Sequence, residues 1–585
     1  MLVGVTFVVF AYLLSCDFTS WDDQTFILRN PLIANPSFEN AIHYWRSGFF
    51  TIYIPLTATA WVALAAIGRS AMPGPSGTVL NPTVFHAANL LIHIVSGLLV
   101  FEIIRRLVKS TWPALVGALV FAIHPVQVET VGWVSGLKDL LAGCLTFGAI
   151  AAYLTSAESS ADSKRPARWY AMATGLFVLG MLAKPSAMLT GGLVFVIDAA
   201  LLRRPLKQVA LWSGPWLILG AVVAIVARLM QPVIELGDRP AIWTRPLIVG
   251  HSLAFYLGKI VWPVSLTVDY GQNPPTVLST AWAYWAWLVP IALIAVAFAL
   301  RKSSRLPLVG VALFILAPFH TLGWVPFDFQ TYSTTADHYL YVAMLGIGLI
   351  AAWGVSRVNN RTMNVVVVAV LLALGIRSVT QTFTWQNTET LFNHALHVNP
   401  KSWAAYTSLA VEAKEHGDFQ AAFEQAGKAI AIRPQDPLAY LVRGSVYAAT
   451  GDFKNAIATY RHAAELNPND AGTLTNLGGA LAAVGNTTEA APILRRAVSI
   501  DPYNAQAHLN LGTLLFQRGD AAGAEPLLGR AAALSPLDAQ AHMNHGIVLM
   551  ALGRRVEATA ELQAAYRLRP DLPNVRETLQ ELNSP

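Results

Sequence analysis

The chain has few charged residues and almost no cysteine. Asp, Glu, Lys and Arg make up 13% of its 585 residues, about half of the roughly 25% found in soluble domains. It contains two cysteines, Cys16 and Cys144, both in or beside apolar runs. Hydrophobic residues reach 54%. These proportions exclude a soluble nucleic-acid-binding protein, a disordered chain and a small disulfide-rich module.

The charges are distributed unevenly along the sequence. Residues 1–380 contain 24 Lys and Arg against 15 Asp and Glu, whereas residues 381–585 contain 16 against 19. The excess of cations therefore belongs to the apolar part, where Lys and Arg are typical of cytoplasmic loops. We expect a membrane protein with no nucleic-acid partner.

Long apolar runs in residues 1–380 predict membrane-spanning helices, because about 20 helical residues cross the hydrocarbon core. We place eleven spans near residues 1–15, 83–104, 112–129, 135–154, 169–184, 186–202, 209–228, 281–300, 307–325, 338–356 and 364–380. The apolar stretches 49–67 and 250–263 are interpreted as interfacial or re-entrant helices. A lipoprotein signal that ends Leu13-Leu14-Ser15-Cys16 is the alternative for the first span.

Clusters of Lys and Arg orient these spans, because short cytoplasmic loops are enriched in both. With eleven spans, five clusters fall on one side: Arg105, Arg106 and Lys109; Lys164, Arg165 and Arg168; Arg203, Arg204 and Lys207; Arg301, Lys302 and Arg305; Arg357 and Arg361. The carboxy-terminal part then lies on the opposite side. In a bacterium this is the periplasmic side of the inner membrane.

The carboxy-terminal part is a sequence repeat. Intervals of 34 residues separate successive members of two series, Pro400, Pro434, Pro468, Pro502, Pro536 and Pro570, and Gly417, Gly451, Gly485, Gly519 and Gly553. This period is the signature of the tetratricopeptide repeat, a pair of antiparallel helices. We predict a membrane domain over 1–380, a linker or partial repeat over 381–402, and five repeats plus a cap over 403–585. Such arrays hold peptides or partner proteins, and a rigid spacer is the alternative.

Ionisable residues beside membrane spans are costly and are therefore functional candidates. With the orientation above, the unusual polar residues map to the side of the repeats: Asp17, Trp21, Asp22, Asp23, His124, Glu129, Lys138, Asp139, Lys184, Asp269, Tyr270, Asp328, Asp337, His338 and Tyr339. This asymmetry predicts one outward-facing polar cavity. A carboxylate there can act as general base, cations can hold a phosphate leaving group, and an apolar groove can hold a lipid tail. The combination fits sugar transfer from a lipid phosphate.

Each candidate also has a purely structural explanation. Asp22 and Asp23 can cap a helix, and Lys184 can extend to the membrane interface. His124 can be a buried histidine with its hydrogen bonds satisfied. Lys138 and Asp139 can form a local ion pair. Asp337 and His338 can be interfacial anchors.

Several segments, taken in order, resemble the transmembrane and tetratricopeptide repeat-containing protein O-mannosyltransferases and their bacterial relatives. They are Trp21-Asp22-Asp23, Tyr53-x-Pro55-Leu56, FHAANLLIHIVSGLLV (85–100), FAIHPVQVETVGWVSGLKDLLAG (121–143), LAKP (182–185), YLGKIVWPVSLTVDY (256–270) and ADHYLYVAMLG (336–346). The resemblance implies an all-α membrane glycosyltransferase fold of the GT-C type, with a polyprenyl-phosphate sugar as donor substrate. It also implies that the acidic pair Asp22 and Asp23 lies at the active site. The sequence departs from the bacterial pattern at His338 and Ala343, where Arg and Pro are usual.

Together these observations predict a membrane glycosyltransferase that moves a sugar from a lipid-linked donor to Ser or Thr of an exported protein. Asp22 and Asp23 are the predicted catalytic residues, and either would bind a divalent metal if one takes part. The predicted substrate-binding residues are Lys138, Asp139, Lys184, His338, Asp337, His124, Glu129 and Tyr53. The repeat domain would bind the acceptor protein or another partner. A non-catalytic scaffold and a cell-envelope glycan ligase or transporter are the alternatives.

Overall fold

The computed structural model describes residues 1–47, 53–70, 79–158, 165–202, 204–230, 240–358, 360–573 and 575–583. These residues are built from helices and connecting turns, without a β-strand, which confirms the predicted all-α fold. They divide into two compact units, Met1–Ala405 and Tyr406–Pro585. Residues 49–52 of the predicted interfacial stretch, and Lys164 and Arg203 of the cation clusters, lie outside the described residues.

The first unit is a set of mostly apolar helices. Its α-helices are α1 Leu2–Phe10, α2 Pro31–Ala34, α3 Phe38–Arg46, α4 Pro55–Gly68, α5 Pro82–Val108, α6 Thr111–Ile123, α7 Gln127–Gly132, α8 Leu137–Glu158, α9 Arg165–Ala183, α10 Thr190–Ile197, α11 Leu206–Met230, α12 Arg245–Val261, α13 Pro274–Leu278, α14 Leu288–Leu300, α15 Leu306–Leu316, α16 Met344–Arg357, α17 Arg361–Thr382 and α18 Thr388–Val398.

Six helical segments among the described residues are long and apolar enough to cross a membrane. They are Pro82–Val108, Val134–Glu158, Pro185–Leu202, Leu206–Met230, Ala281–Leu300 and Arg361–Trp385. Shorter apolar helices are Leu2–Ser15, Pro55–Gly68, Thr111–Ile123, Leu306–Leu316 and Met344–Arg357. The stretch predicted to be interfacial at 49–67 therefore contains one of these shorter apolar helices, α4.

Three predicted spans are shorter in the structure than in the prediction. Helix α6 ends at Ile123 rather than near 129, because Pro125 disfavours the helical conformation at the preceding residue and has no N–H to donate. Helix α15 ends at Leu316, shortly before Pro318, and α16 begins at Met344 rather than at 338. The segments outside these helices, 124–136 and 317–343, carry many of the polar candidates.

Small residues allow close helix packing in the first unit. A Cβ added at Gly117 of α6 would collide with the carbonyl oxygen of Gly348 of α16, so a larger residue there would separate the two helices. Small residues have this role in membrane proteins, where burial against lipid gives no hydrophobic gain. By contrast, α17 leaves apolar side chains such as Val365, Leu372 and Ile376 exposed, as expected for a lipid-facing helix.

Residues 381–402, predicted to be a linker or partial repeat, belong to the first unit. The Thr388 hydroxyl accepts a hydrogen bond from the backbone N–H of Ser20, at 3.0 Å. The His394 ring is hydrogen-bonded to the carbonyl of Leu266 at 2.8 Å. These contacts attach α18 to the segment after α1 and to the segment after α12.

The second unit consists of paired helices, as the 34-residue period predicts. Its helices among the described residues up to Asn583 are α19 Trp403–Glu415, α20 Phe419–Ile432, α21 Pro437–Ala449, α22 Phe453–Leu466, α23 Ala471–Ala483, α24 Thr487–Ile500, α25 Ala505–Gln517, α26 Ala521–Leu534, α27 Ala539–Ala551, α28 Arg555–Leu568 and α29 Val575–Asn583. The first of these helices, α19, begins in the first unit and continues into the second. Gly451 turns the chain between α21 and α22 with φ of 81°, a conformation that glycine adopts without a Cβ penalty. The Asp452 side chain then caps α22 by accepting the N–H of Asn455.

A second glycine series with the same 34-residue spacing brings paired helices together, and it allows a stability prediction; its members are Gly444, Gly478, Gly512 and Gly546. A Cβ at Gly478 of α23 would lie 2.5 Å from Cγ of Leu494 on α24, which is fully buried. We therefore expect Gly478→Ala to destabilise the repeat array by about 1–3 kcal/mol through overpacking. Hydrogen exchange of α23 and α24 in the full chain measures this loss.

Gly427→Ala is the matched control, because Gly427 lies on α20 with no atom within 4 Å of an added Cβ. It should stabilise its helix by roughly 0.5–1 kcal/mol through helix propensity. Equal hydrogen-exchange protection of α23 and α24 in the two variants would show that the small size of Gly478 has no packing role.

Candidate active site

Asp23 joins the loop after α1 to the turn before α8. Its Oδ2 accepts hydrogen bonds from the backbone N–H and hydroxyl of Thr19, both at 3.1 Å. Its Oδ1 accepts from the backbone N–H and hydroxyl of Ser135, at 2.8 and 2.6 Å. The side chain is fully buried. Asp23 therefore holds the position of its neighbour Asp22.

Asp22 is the accessible member of the acidic pair. Its side chain is 37% exposed, and Oδ2 accepts a hydrogen bond from Lys138 Nζ at 2.8 Å. Lys138, at the start of α8, is largely buried, with Nζ 4.4 Å from the ring centroid of Trp133 and 4.9 Å from that of Phe26. The two aromatic rings and the carboxylate fix the direction of the ammonium group.

The next residue on α8 makes a second ion pair. Lys184, which precedes the 3₁₀ turn Pro185–Leu189, donates to Asp139 Oδ1 at 2.6 Å. Because Lys138 and Asp139 are adjacent, the two ion pairs lie side by side at the beginning of α8. Two carboxylates and two ammonium groups from three separate segments thus converge, although 116 and 45 positions separate the paired residues.

A third polar contact connects α7 to the segment before α16. Glu129 Oε1 lies 2.6 Å from His338 Nδ1, and Glu129 Oε2 accepts the backbone N–H of Asp337 at 3.0 Å. Asp337 Oδ1 in turn accepts the hydroxyl of Tyr270 at 2.8 Å. Burial raises the pKa of Glu129 to about 8 and lowers the pKa of His338 to about 3. His338 is therefore a neutral hydrogen-bonding group at physiological pH rather than a cation.

The buried Glu129 carboxyl predicts a pH dependence of stability. Its pKa of about 8 in the folded chain lies above the ordinary value of 4.5. Its contribution is therefore fully present below pH 4.5 and is lost as the pH rises through 8. The amide of a Glu129→Gln variant cannot ionise, so between pH 5 and 9 the stability of this variant should fall less than that of the wild type, by a few kcal/mol.

Thermal unfolding of the full chain in detergent across this pH range measures the difference. The exposed Glu39 supplies the control, since Glu39→Gln should keep the wild-type pH dependence. An unchanged pH dependence in Glu129→Gln would contradict the burial argument.

Two predicted substrate-binding residues are engaged elsewhere. His124 is buried, with Nε2 3.0 Å from the carbonyl oxygen of Ile260 and Nδ1 accepting the N–H of Val126. Both ring nitrogens are thus occupied by backbone groups at the end of α6. The Tyr53 hydroxyl donates to the carbonyl of Trp45 at 3.1 Å.

A small cavity opens beside the second ion pair. It has a volume of about 40 Å³, and its lining includes Asp139, Lys184, His338, Tyr339, Tyr341, Thr146, Thr190, His320 and Leu193. Sequence reasoning did not select His320, Thr146 or Thr190. The signal for His320 was available, because it is an ionisable residue at the end of an apolar run.

The donor set does not fit a divalent metal. Both oxygens of Asp23 are occupied by hydrogen bonds from Thr19 and Ser135, and Asp22 is paired with a lysine. Across the part of the chain that the structure describes, no three His, Cys, Asp or Glu side chains form a metal-binding group. The proposed reaction is therefore described without a metal-dependent step.

Comparison with known proteins supports the predicted resemblance. Family models described as "Tetratricopeptide repeat" match residues 407–471, 441–505 and 481–543. Curated relatives include Protein O-mannosyl-transferase Tmtc2 of Drosophila melanogaster, 26% identical over 34% of this chain and 23% of that protein. TMTC3 of Mus musculus is 22% identical over 63% and 44%, and TMTC1 of Homo sapiens is 25% identical over 61% and 46%. The chain thus spans less than half the length of each of these three relatives.

Two of the similar solved structures are described as tetratricopeptide repeat proteins. YrrB, described as having an unusual peptide-binding site, is 22% identical, with a TM-score of 0.26, and the match covers 32% of this chain and 97% of YrrB. TTC0263 of Thermus thermophilus is 22% identical, with a TM-score of 0.28, and the match covers 31% of this chain and 98% of TTC0263.

Proposed function

We propose that this chain is a membrane glycosyltransferase that moves a sugar from a polyprenyl phosphate to a Ser or Thr hydroxyl of an exported protein. The main support is the pair of adjacent ion pairs, Lys138–Asp22 at 2.8 Å and Lys184–Asp139 at 2.6 Å, beside a cavity lined by both polar and apolar side chains. The names of the curated relatives, protein O-mannosyl-transferases, indicate the reaction class and make mannose the first sugar to test.

In this reaction the acceptor oxygen attacks the anomeric carbon of the donor sugar. The new carbon–oxygen bond forms while the bond from the anomeric carbon to the phosphate oxygen breaks. Asp22 takes the proton of the acceptor hydroxyl, because its carboxylate is exposed whereas both oxygens of Asp23 are occupied. General-base assistance of this kind typically contributes 10²- to 10⁴-fold to a rate.

The leaving phosphate departs with the bonding electron pair and carries the negative charge. Lys138 and Lys184 are the cations placed to neutralise it, each now paired with a carboxylate. Charge-assisted hydrogen bonds to phosphate are among the stronger polar interactions in proteins. His338, being neutral, supports the site by fixing the segment 336–341 to Glu129.

The repeat domain is proposed to bind the acceptor. Arrays of this type present extended concave surfaces that hold peptides or proteins. Tethering an acceptor on the same chain raises its effective concentration at the site without a new contact there. From the distribution of cations, we propose that the polar site of the membrane domain and the repeat domain both lie on the periplasmic side of a bacterial inner membrane.

The test is direct transfer by the purified full chain in proteoliposomes. The donor is synthetic polyprenyl-phosphate mannose, the acceptor is a set of Ser- and Thr-containing peptides, and mass spectrometry detects addition of one hexose. A non-catalytic scaffold would transfer nothing. A glycan ligase or transporter would modify no peptide, and its deletion strain would accumulate lipid-linked glycan without any protein losing mass.

A further inference from the structure

Two residues that line the cavity, Asp139 and His320, each have a buried polar atom without a hydrogen-bond partner among the described residues. These atoms are Asp139 Oδ2 and His320 Nδ1. Asp139 is 9% exposed, and its other oxygen is occupied by Lys184 at 2.6 Å. Leaving a buried polar group unpaired costs about 1–3 kcal/mol, more for a charged one, so a ligand that pairs with these atoms recovers this cost.

The chemistry of these atoms defines the ligand class. An ionised Asp139 only accepts hydrogen bonds, so its partner must carry an O–H or N–H group. A phosphate oxygen would be repelled there, and a hydrocarbon chain would leave both atoms unpaired. Hydroxyl groups satisfy Asp139 and His320 together, because a hydroxyl both donates and accepts.

The volume of the cavity and its other lining residues narrow the class of ligand further. A volume of about 40 Å³ holds about three groups of the size of a water molecule, which is one edge of a sugar ring rather than the whole ring. Thr146 and Thr190, also in the lining, add two more hydroxyls, which are hydrogen-bonded to each other at 2.9 Å. Lys184, at the same cavity, is the proposed phosphate-binding cation.

We infer that Asp139 Oδ2 and His320 Nδ1 bind hydroxyls on one edge of the donor sugar and determine which sugar is accepted. This inference rests on the proposed function, because the sugar is the one carried by the lipid phosphate. A site built to hydrogen-bond a hydroxyl discriminates strongly against a substrate that presents it wrongly, since the buried polar groups are then left unpaired.

Three donors that differ only in the orientation of single hydroxyls test this inference. Full-length chain in proteoliposomes is given polyprenyl-phosphate mannose, glucose or galactose, and kcat/KM is measured for each. The wild type should separate the best from the worst donor by roughly thirtyfold or more. In Asp139→Asn and His320→Ala this ratio should fall about tenfold, and His320→Gln serves if the alanine variant does not fold.

Lys138→Ala is the matched comparison, because Lys138 donates to Asp22, whereas Lys184 holds Asp139 itself. As a phosphate-binding variant, it should lower kcat/KM for all three donors by similar factors and leave their ratio unchanged. Equal losses for all donors in the Asp139 and His320 variants, or no wild-type discrimination, would overturn the inference while the proposed function stands. If the wild type transfers none of the three sugars, the proposed function fails as well.

Discussion

Asp22→Asn is expected to lower the kcat of sugar transfer by roughly 10²- to 10⁴-fold, while the protein accumulates normally in the membrane. Asn has the same shape as Asp and still offers an oxygen to Lys138, which now donates to Asp22 at 2.8 Å. It cannot take a proton from the acceptor hydroxyl. Donor binding should therefore change little, and the loss should appear in kcat rather than in KM.

Asp17→Asn is the control for this experiment, because Asp17 lies in the same loop and its Oδ1 accepts only the adjacent backbone N–H of Phe18 in the contacts described. That variant should transfer sugar at the wild-type rate. If Asp22→Asn retains a substantial part of the wild-type kcat, Asp22 is not the general base, and the ion pair with Lys138 is structural.

Asp23→Ala should produce the largest loss of stability, about 3–5 kcal/mol. The change removes a buried carboxylate that accepts four hydrogen bonds and leaves donors of Thr19 and Ser135 unpaired. Loss of one partner in such a buried charged network is strongly destabilising. Thermal unfolding of the full chain, with protease sensitivity of residues 16–30, measures the effect.

The matched control is Asp17→Ala, which removes one hydrogen bond to a partly buried backbone N–H and should cost about 1 kcal/mol or less. Wild-type stability in Asp23→Ala would show that the loop after α1 does not depend on this carboxylate. Activity of this variant is expected to fall as well, because Asp22 then loses its fixed position beside Lys138.

The repeat array could be predicted in detail because its signal is local and periodic. Four glycines at the ends of first helices, such as Gly451, are followed by a capping Asp or Asn, such as Asp452, and both residues act within a few positions of their own. The ends of the membrane helices were predicted less accurately from the sequence. Hydrophobicity alone extended α6 to residue 129, whereas Pro125 ends it at Ile123.

The partners within the site could not be predicted from the sequence. Lys138 pairs with Asp22, and not with its neighbour Asp139, which pairs with Lys184. A local ion pair between Lys138 and Asp139 fits the sequence equally well, and only the approach of the loop after α1 and of the turn at Lys184 excludes it. The sequence does mark His320 as an ionisable residue at the end of an apolar run, but its place in the same cavity as Asp139 depends on packing between segments far apart in the chain.

In the proposed mechanism, the lysines of the ion pairs at the start of α8 hold the phosphate of a lipid-linked sugar. The most direct measurement is a cryo-electron microscopy map of the full-length Asp22→Asn variant in nanodiscs with polyprenyl-phosphate mannose. We expect the phosphate to lie within hydrogen-bond distance of Nζ of Lys138 or Lys184, about 2.7–3.0 Å, with the sugar toward Asp139. A phosphate bound instead beside the opposite cation cluster, at Arg301 and Arg305, would contradict this mechanism.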